Sequence, residues 1–290
     1  MLPANLSHSR LKKLLAVTLL SDGYLRMVKG KPACLRLATV PDSIEQHRLF
    51  AELCEGCFHK SPRTYLENAE QKPLFASVLY SRSAAREMLQ LTPAYKTTPN
   101  NKETPKEFLE KAQPTLSFLE NEPRWFKWLA FRIFLDFDGS ISPIFKLKHK
   151  KDKKCKRTYI YYQVQFECEA RIAETNPTLV ESLLGLARDL GLRARIGKDA
   201  RNWSGLGGIV ISEKRSVKKV IEQGPMTNVA IHKGDRFRGI AKQSICEAVA
   251  SFLQKSGGRC SWHFNNKLEA SALKSFLNAQ FNKILNSPIV

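Results

Sequence analysis

The sequence lacks a long hydrophobic run, an export segment and a regular set of cysteines. No apolar stretch reaches the roughly 18 residues that a membrane-spanning helix needs, so we expect a soluble protein that does not span a membrane. Residues 1–10 lack the charged, apolar and small-residue regions of a secretion signal, which predicts an intracellular protein, cytoplasmic or nucleoid-associated. The seven cysteines are odd in number and scattered, which excludes a disulfide framework and favours free thiols.

Acidic residues are scarce relative to basic ones. Against 47 Lys and Arg stand 27 Asp and Glu, so the formal net charge is +20. Such an excess attracts polyanions, and nucleic acid is therefore the leading partner. A solubilising surface or contact with an anionic membrane face stays open as the alternative. The length of 290 residues favours two units that each have their own core.

Two similar units follow each other along the chain. Apolar periodicity predicts the order α-β-β-α-β-β-α in each, which indicates a mixed α/β (α+β) fold with an internal duplication. We expect the first repeat at 1–96, a linker and bridging helix at 97–121, the second repeat at 122–224 and a C-terminal helical extension at 225–290. Within the linker the bridging helix is predicted at 107–120, and the extension has helices predicted at 243–254 and 267–284.

Each repeat contains one long apolar helix that ends in Asp-Gly. The two segments are LAVTLLSDG at 15–23 and FRIFLDFDG at 131–139. With their αββαββα surroundings, both resemble the motif of the LAGLIDADG homing endonucleases, and the LARDLGLRARIG stretch makes the second repeat most similar to archaeal intron-encoded members. The resemblance implies two pseudo-symmetric repeats in one monomeric chain, a β-saddle that holds double-stranded DNA, and an intron-borne or free-standing mobile gene.

Asp22 and Asp138 are the candidate catalytic and metal-binding residues. An acid at the end of each of two packed helices brings two carboxylates together, and divalent cations relieve their repulsion. By the resemblance these acids, with the backbone at Gly23 and Gly139, hold Mg²⁺ or Mn²⁺, and each acid acts mainly on one DNA strand. A single Asp-Gly more often simply ends a helix, but two copies at matching points favour the metal site. Asp136 is predicted to be solvated or secondary.

The chain also departs from the family pattern. Members usually have small residues where the two motif helices meet, whereas this chain has Val17 and Ser21 there in one repeat and Ile133 and Phe137 in the other. Members carry Gln or Lys where the second strand of each repeat ends, whereas this chain has Thr39 in one repeat and Cys168-Glu169 in the other. Alignment of the closing strands makes Arg82 and Lys214 equivalent, and they are the predicted auxiliary catalytic residues, although ordinary phosphate-facing charge explains them equally well.

The strands that follow each motif helix are predicted to contact DNA. A β-ribbon with a basic tip can enter the major groove, where side chains meet base edges and lysines meet phosphates. Strand alternation and the resemblance assign DNA contact in the first repeat to Arg26, Lys29, Lys31 and Arg36. In the second repeat they assign it to Lys146, Lys148, Lys150, Lys151, Lys153, Lys154, Gln163, Gln165, Arg193 and Arg195.

The sequence therefore predicts a metal-dependent, site-specific DNA endonuclease that hydrolyses one phosphodiester in each strand. Two alternatives stay open: a maturase that binds intron RNA with the same basic surface, and a DNA-binding regulator that has lost catalysis. Cys54-x-x-Cys57-x-His59 and Cys260-x-x-His263 have spacings typical of zinc ligands, but the sequence links no partner pair to either, so thiols are favoured. It does not decide whether the C-terminal extension braces the core or contacts phosphates.

Overall fold

The computed structural model describes residues 2–68, 73–154, 157–231 and 236–286. For 68, 152–154 and 157–159, the description covers the backbone but not the side chains. The two-repeat α/β fold predicted from the sequence is confirmed, with two antiparallel sheets. The first repeat consists of α1 His8–Leu20, β1 Gly23–Val28, β2 Lys31–Thr39, α2 Ile44–Phe58, β3 Arg63–Asn68, β4 Pro73–Leu79 and α3 Arg82–Met88.

The second repeat has the same order with a longer first hairpin. Its elements are α5 Arg124–Phe137, β5 Gly139–Lys154, β6 Arg157–Ile172, α6 Pro177–Asp189, β7 Ala194–Lys198, β8 Leu206–Ile211 and α7 Lys214–Gln223. Strands β5 and β6 have 16 residues each, whereas β1 and β2 have 6 and 9. The hairpin therefore extends well beyond the part of β6 that pairs with β8.

Both sheets have the same topology, with orders β1-β2-β4-β3 and β5-β6-β8-β7. The turn between β1 and β2 is formed by Lys29 and Gly30, both of which have positive φ, as in the turns that match the twist of a two-residue hairpin. In the second sheet, side chains alternate between a buried face, with Phe145 and Phe166, and an open face, with Lys146 and Gln165. The second sheet thus leaves one face open.

The predicted bridging helix at 107–120 is wrong in extent. In place of one helix there are two short elements. Helix α4 covers Pro105–Leu109, and a single 3-10 turn forms at Ser117–Leu119. Thr104 and Glu107 form a capping box that starts the short helix. Pro114 lies between the two pieces, and because proline lacks a backbone N–H and clashes with the preceding turn, a continuous helix cannot pass through it.

The C-terminal extension packs on the second repeat and adds a strand to its sheet. Its elements are α8 Lys242–Lys255, β9 Ser261–Phe264 and α9 Lys267–Leu285. Strand β9 pairs antiparallel with β6, opposite 162–165, which the sequence did not predict. Phe252 of α8 and Phe281 of α9 pack against Phe145 and Phe166, with ring centroids 4.8–6.3 Å apart. The extension therefore braces the second sheet.

The core lies where the two motif helices pack together. Helix α1 contacts α5, and both helices are buried along most of their length. Val17 and Ile133, which replace the small residues of the family pattern, are fully buried. Within the described part of the chain, no helix has the length and hydrophobicity needed to cross a bilayer.

Candidate functional site

Asp22 and Asp138 line the same cleft, where α1 and α5 end. Asp22 lies between α1 and the first residue of β1, and Asp138 caps the C-terminus of α5. The cleft has a volume of about 1180 Å³ and is also lined by residues of both sheets. The Asp138 carbonyl accepts a 3.0 Å hydrogen bond from the backbone N–H of Ala173, which ties the end of α5 to the end of β6. The two acids are thus presented together by the helix pair.

Gly23 and Gly139 allow each strand to begin directly against the last turn of its helix. A Cβ atom on Gly139 would lie 2.4 Å from the Leu135 carbonyl oxygen, and one on Gly23 would lie 2.8 Å from the Leu19 Cα. Real side chains do not tolerate such approaches, so a larger residue would push the strand away from the helix. The glycine of each Asp-Gly pair therefore fixes where the preceding acid sits.

Lys242 reaches the same cleft from the C-terminal extension. Its ammonium group donates hydrogen bonds to the main-chain carbonyls of Leu135 (2.9 Å) and Asp136 (2.6 Å), at the end of α5. Burial lowers the pKa of Lys242 to about 8, while the charges of Asp136, Asp138 and Asp22 act in the opposite direction. Both candidate acids therefore lie within electrostatic range of one buried lysine.

Asp136 was predicted to be solvated or secondary, and because it is fully buried, the solvated position was wrong. Its carboxylate accepts hydrogen bonds from the backbone N–H groups of Met226 (2.9 Å) and Thr227 (3.1 Å), which join the end of α7 to the extension. Burial raises the pKa of Asp136 to about 7 against the effect of these bonds and of the Lys242 charge. The amide of Gln46, on α2 of the first repeat, donates to the Asp136 carbonyl at 3.1 Å. This residue thus connects both repeats and the extension.

The donor chemistry of the two acids fits a divalent cation. Mg²⁺ and Mn²⁺ prefer oxygen ligands, and Mg²⁺ commonly takes one or two carboxylates together with water and substrate phosphate oxygens. Among residues that the structure describes, no group of three or more His, Cys, Asp or Glu is arranged to hold a metal. Water and phosphate would therefore complete a shell begun by Asp22 and Asp138.

Cys54 and Cys57, whose spacing is typical of zinc ligands, are buried thiols, and burial raises the pKa of both.

Arg82 and Lys214 occupy equivalent positions, as the alignment of the closing strands predicted, but they do not line the cleft. They are the first residues of α3 and α7. The Lys214 ammonium donates at 2.9 Å to the carbonyl of Gly258 in the extension. Because neither side chain belongs to the cleft that contains the acids, the structure gives no support to an auxiliary catalytic role.

In the first repeat, the predicted DNA-contact residues lie on the β1–β2 hairpin. Arg26, Lys29 and Lys31 are exposed. Arg36 is less available, because it forms an ion pair with Glu67 and its guanidinium lies over the Tyr24 ring, 5.5 Å from the centroid.

In the second repeat, the strand register brings most of the predicted residues to the open face. It pairs Lys146 with Gln165, Lys148 with Gln163 and Lys150 with Tyr161. Lys151 is exposed but alternates to the other face. Arg195 of β7 and Arg171 of β6 both pair with Val210 of β8, from opposite sides, and Arg171 lines the cleft. Arg193 precedes β7. Lys153 and Lys154 belong to β5, but their side chains lie outside the described part.

Several residues that line the cleft were not predicted as site residues from the sequence. These are Gln46, Glu167, Glu169, Arg171, Arg201, Arg236 and Lys242. Strand parity could have indicated Glu167, Glu169 and Arg171, which alternate with buried residues of β6. No local pattern marks Lys242, because only the long-range packing of α8 brings it to α5. A second cavity, of about 840 Å³, lies between α8 and α9 and contains neither candidate acid.

No protein-family model matches the sequence, and no curated protein matches it either. Among solved structures, the chain is similar to the crystal structure of I-DmoI in complex with DNA and Ca, with 14% identity, 74% of this chain and 88% of that chain covered, and a TM-score of 0.43. It is likewise similar to mesophilic variants of the homing endonuclease I-DmoI (15% identity, 74% and 95% covered, TM-score 0.43) and to a double mutant of I-SmaMI (12% identity, 94% and 99% covered, TM-score 0.43). Similarity this distant does not by itself assign a function to the chain.

Proposed function

We propose that the chain is a site-specific, metal-dependent DNA endonuclease that hydrolyses one phosphodiester in each strand of a duplex. The observation that carries this proposal is the presence of Asp22 and Asp138, one from each repeat, in a single cleft beside the open face of the second sheet. Cutting both DNA strands needs two equivalent acids at the centre of the bound duplex, one for each strand. The cleft supplies one from each repeat, without a second copy of the chain.

The residues of the cleft have separate roles in this proposal. Asp22 and Asp138 would hold Mg²⁺ or Mn²⁺, which when bound lowers the pKa of a water molecule and neutralises charge on the phosphate. Lys242 has three N–H donors, and the two main-chain carbonyls at the end of α5 use two of them. The third can donate to a phosphate or water oxygen, where its charge stabilises the negative charge that develops during hydrolysis.

Basic residues around the cleft complement the duplex backbone. Four basic residues line it together with the acids: Arg171, Arg201, Arg236 and Lys146. Three of them also form ion pairs: Arg171 with Glu169, Arg201 with Asp199 and Lys146 with Glu167. With the net charge of +20, they favour salt-dependent attraction of a polyanion. The basic residues of the two hairpins, including Arg26, Lys148 and Lys150, extend this surface away from the acids. Phosphate contacts would position the duplex, and side chains on the strands would select its sequence.

The test is selective cleavage of a randomised duplex library by the full chain, with and without Mg²⁺. Specific double-strand cuts that need the metal and that disappear in the Asp22→Asn/Asp138→Asn double variant support the endonuclease. Salt-sensitive binding of DNA without cleavage contradicts it and favours the regulator. Tighter binding of structured RNA than of duplex DNA, again without cleavage, favours the maturase.

A further inference from the structure

A carboxylate lies among the lysines on the open face of the second sheet. Glu167 of β6 accepts a 2.6 Å ion-pair contact from Lys146 and a second one from Lys148. Oxygen Oε2 contacts the ammonium group of Lys146 and Oε1 contacts that of Lys148, so the carboxylate lies between the two ammonium groups. Lys148 also donates at 2.8 Å to the amide oxygen of Gln165. The order across the face is donor, acceptor, donor.

Glu167 is an unexpected residue on a surface that meets phosphates. Partial burial opposes its ionisation, but the hydrogen bonds and charges of Lys146 and Lys148 hold the pKa of its carboxyl below the ordinary value. It therefore stays negative at neutral pH, and a negative group repels phosphate. Since both Glu167 and Lys146 line the cleft that contains the candidate acids, this charge lies near the centre of the proposed duplex site. A hydrogen-bond donor on a base edge is the partner that a carboxylate can use there.

The major-groove edge of each base pair has its own sequence of donors and acceptors. An A·T pair presents acceptor, donor, acceptor: N7 and the N6 amino group of adenine, then O4 of thymine. A G·C pair presents acceptor, acceptor, donor, which would bring the carboxylate against guanine O6. The donor–acceptor–donor order of Lys146, Glu167 and Lys148 is complementary to A·T and mismatched to G·C. Each ammonium keeps a further N–H and the carboxylate keeps further lone pairs, so base contacts need not break the ion pairs.

A neighbouring apolar side chain also favours an A·T pair. Ile144 is directly opposite Glu167 in the β5–β6 register, on the same face, and is 39% exposed. Thymine carries a methyl group beside O4 in the major groove, and apolar side chains contact that methyl group. An exposed isoleucine on a polar strand face thus has a specific partner in an A·T pair and none in a G·C pair.

We propose that Lys146, Glu167 and Lys148 together read a single A·T base pair through the major groove, in the half of the target that the second repeat contacts. This inference rests on the DNA binding in the proposed function, and it adds which base pair one part of the surface selects. The acceptor of Glu167 is the specificity-determining group, and the two lysines contribute both to this base pair and to general attraction of the duplex.

The test is a binding selection from randomised duplex DNA in EDTA, with the full chain as wild type, Glu167→Met, Glu167→Gln and Glu222→Met. Glu222, paired with Lys218 on α7, does not line the cleft, so its variant makes the same charge change elsewhere. We expect one position at which wild type prefers A·T over G·C by about 10-fold or more. Glu167→Met loses that preference, Glu167→Gln keeps most of it because the amide oxygen still accepts, and Glu222→Met leaves it unchanged. Thermal unfolding of each variant confirms that it is folded.

The inference is overturned if Glu167→Met keeps every base preference of the wild type, or if the preference that it loses is at a G·C position. A parallel Mg²⁺ incubation of the selected duplexes tests cleavage separately. If the wild type selects sequences but does not cut them, the endonuclease proposal fails while the outcome for Glu167 still decides the base-pair inference. If the wild type selects no sequence at all, base reading by Glu167 is overturned.

Discussion

The ammonium group of Lys242 donates a 2.6 Å hydrogen bond to the main-chain carbonyl of Asp136, two residues before Asp138. A side chain of the C-terminal extension is thereby fixed to the end of the helix that carries one of the two candidate acids. The extension is anchored a second time, by the Asp136 carboxylate. The candidate site consequently has three contributors: one helix from each repeat and the first residue of α8.

Replacing Lys242 by Met is expected to lower the maximal cleavage rate by about 100-fold, the usual range for loss of a group that stabilises developing charge. At the same time, the Mg²⁺ concentration for half-maximal cleavage should fall several-fold, because a positive charge near the two acids has been removed. Cleavage assays across a Mg²⁺ titration measure both quantities. The control is Lys255→Met, at the opposite end of the same helix. A cleavage rate and a Mg²⁺ requirement that both equal those of wild type would contradict this role of Lys242.

Replacing Gly139 by Ala is expected to destabilise the protein by about 1–3 kcal/mol, the usual cost of overpacking. The added Cβ would lie 2.4 Å from the Leu135 carbonyl oxygen, so β5 must move and Asp138 with it. A displacement of about 1 Å can reduce the rate roughly 100-fold. Denaturant unfolding and cleavage assays measure the two effects.

Gly185→Ala, in the middle of α6, is the matched control for the Gly139 variant. No atom lies within 4 Å of the Cβ that it would add, so the better helix propensity of alanine should stabilise the protein by up to about 1 kcal/mol. Equal stability of the Gly139 and Gly185 variants would show that β5 does not need its close approach to α5.

His47 should make the stability of the fold depend on pH. It is buried, its ring nitrogens lie 2.8 Å from the hydroxyls of Thr39 and Ser77, and burial lowers its pKa from 6.5 to about 4. Because the folded pKa lies below the unfolded one, the unfolded chain binds more protons between these values. The contribution is therefore complete above pH 6.5 and is lost as the pH falls toward 4, by about 3 kcal/mol.

Urea unfolding of wild type and His47→Gln at pH 7.5 and pH 4.5 measures this effect as a difference. The comparison is needed because burial raises the pKa of Asp136 and Glu174 to about 7, and their contributions change in the opposite direction over the same range. These groups titrate in both proteins and cancel. The stability advantage of wild type over the variant should shrink by about 2–3 kcal/mol at the lower pH. An advantage that is the same at both pH values would argue against a buried neutral histidine.

Local pattern was enough to predict both repeats because their elements are strongly periodic. The order α-β-β-α-β-β-α that we predicted for each repeat is the order that the structure shows. The bridging helix was wrong because Pro114 outweighs the helical spacing on either side of it. Strand β9 was missed because it is short and its pairing with β6 joins residues about 100 positions apart.

The candidate site was only partly predictable for the same physical reason. Asp22 and Asp138 stand out because each lies just after an apolar helix, at a repeated motif, and such a signal is local. Lys242 stands out only after α8 has packed against the second repeat, and Asp136 shows its role only when its backbone partners at 226 and 227 are known. Arg82 and Lys214 were placed at equivalent positions correctly, yet equivalence along the chain did not bring them to the cleft.

The central claim is that Asp22 and Asp138 form one metal-dependent site, and its most direct test is cleavage of a selected duplex by Asp22→Asn and Asp138→Asn. The control is Asp189→Asn, whose carboxylate pairs with Lys127 near the other end of α5. We expect each site variant to lose double-strand cleavage by at least about 100-fold while binding the duplex as tightly as wild type, and the control to keep its activity. Full Mg²⁺-dependent double-strand cleavage by either site variant would contradict the account.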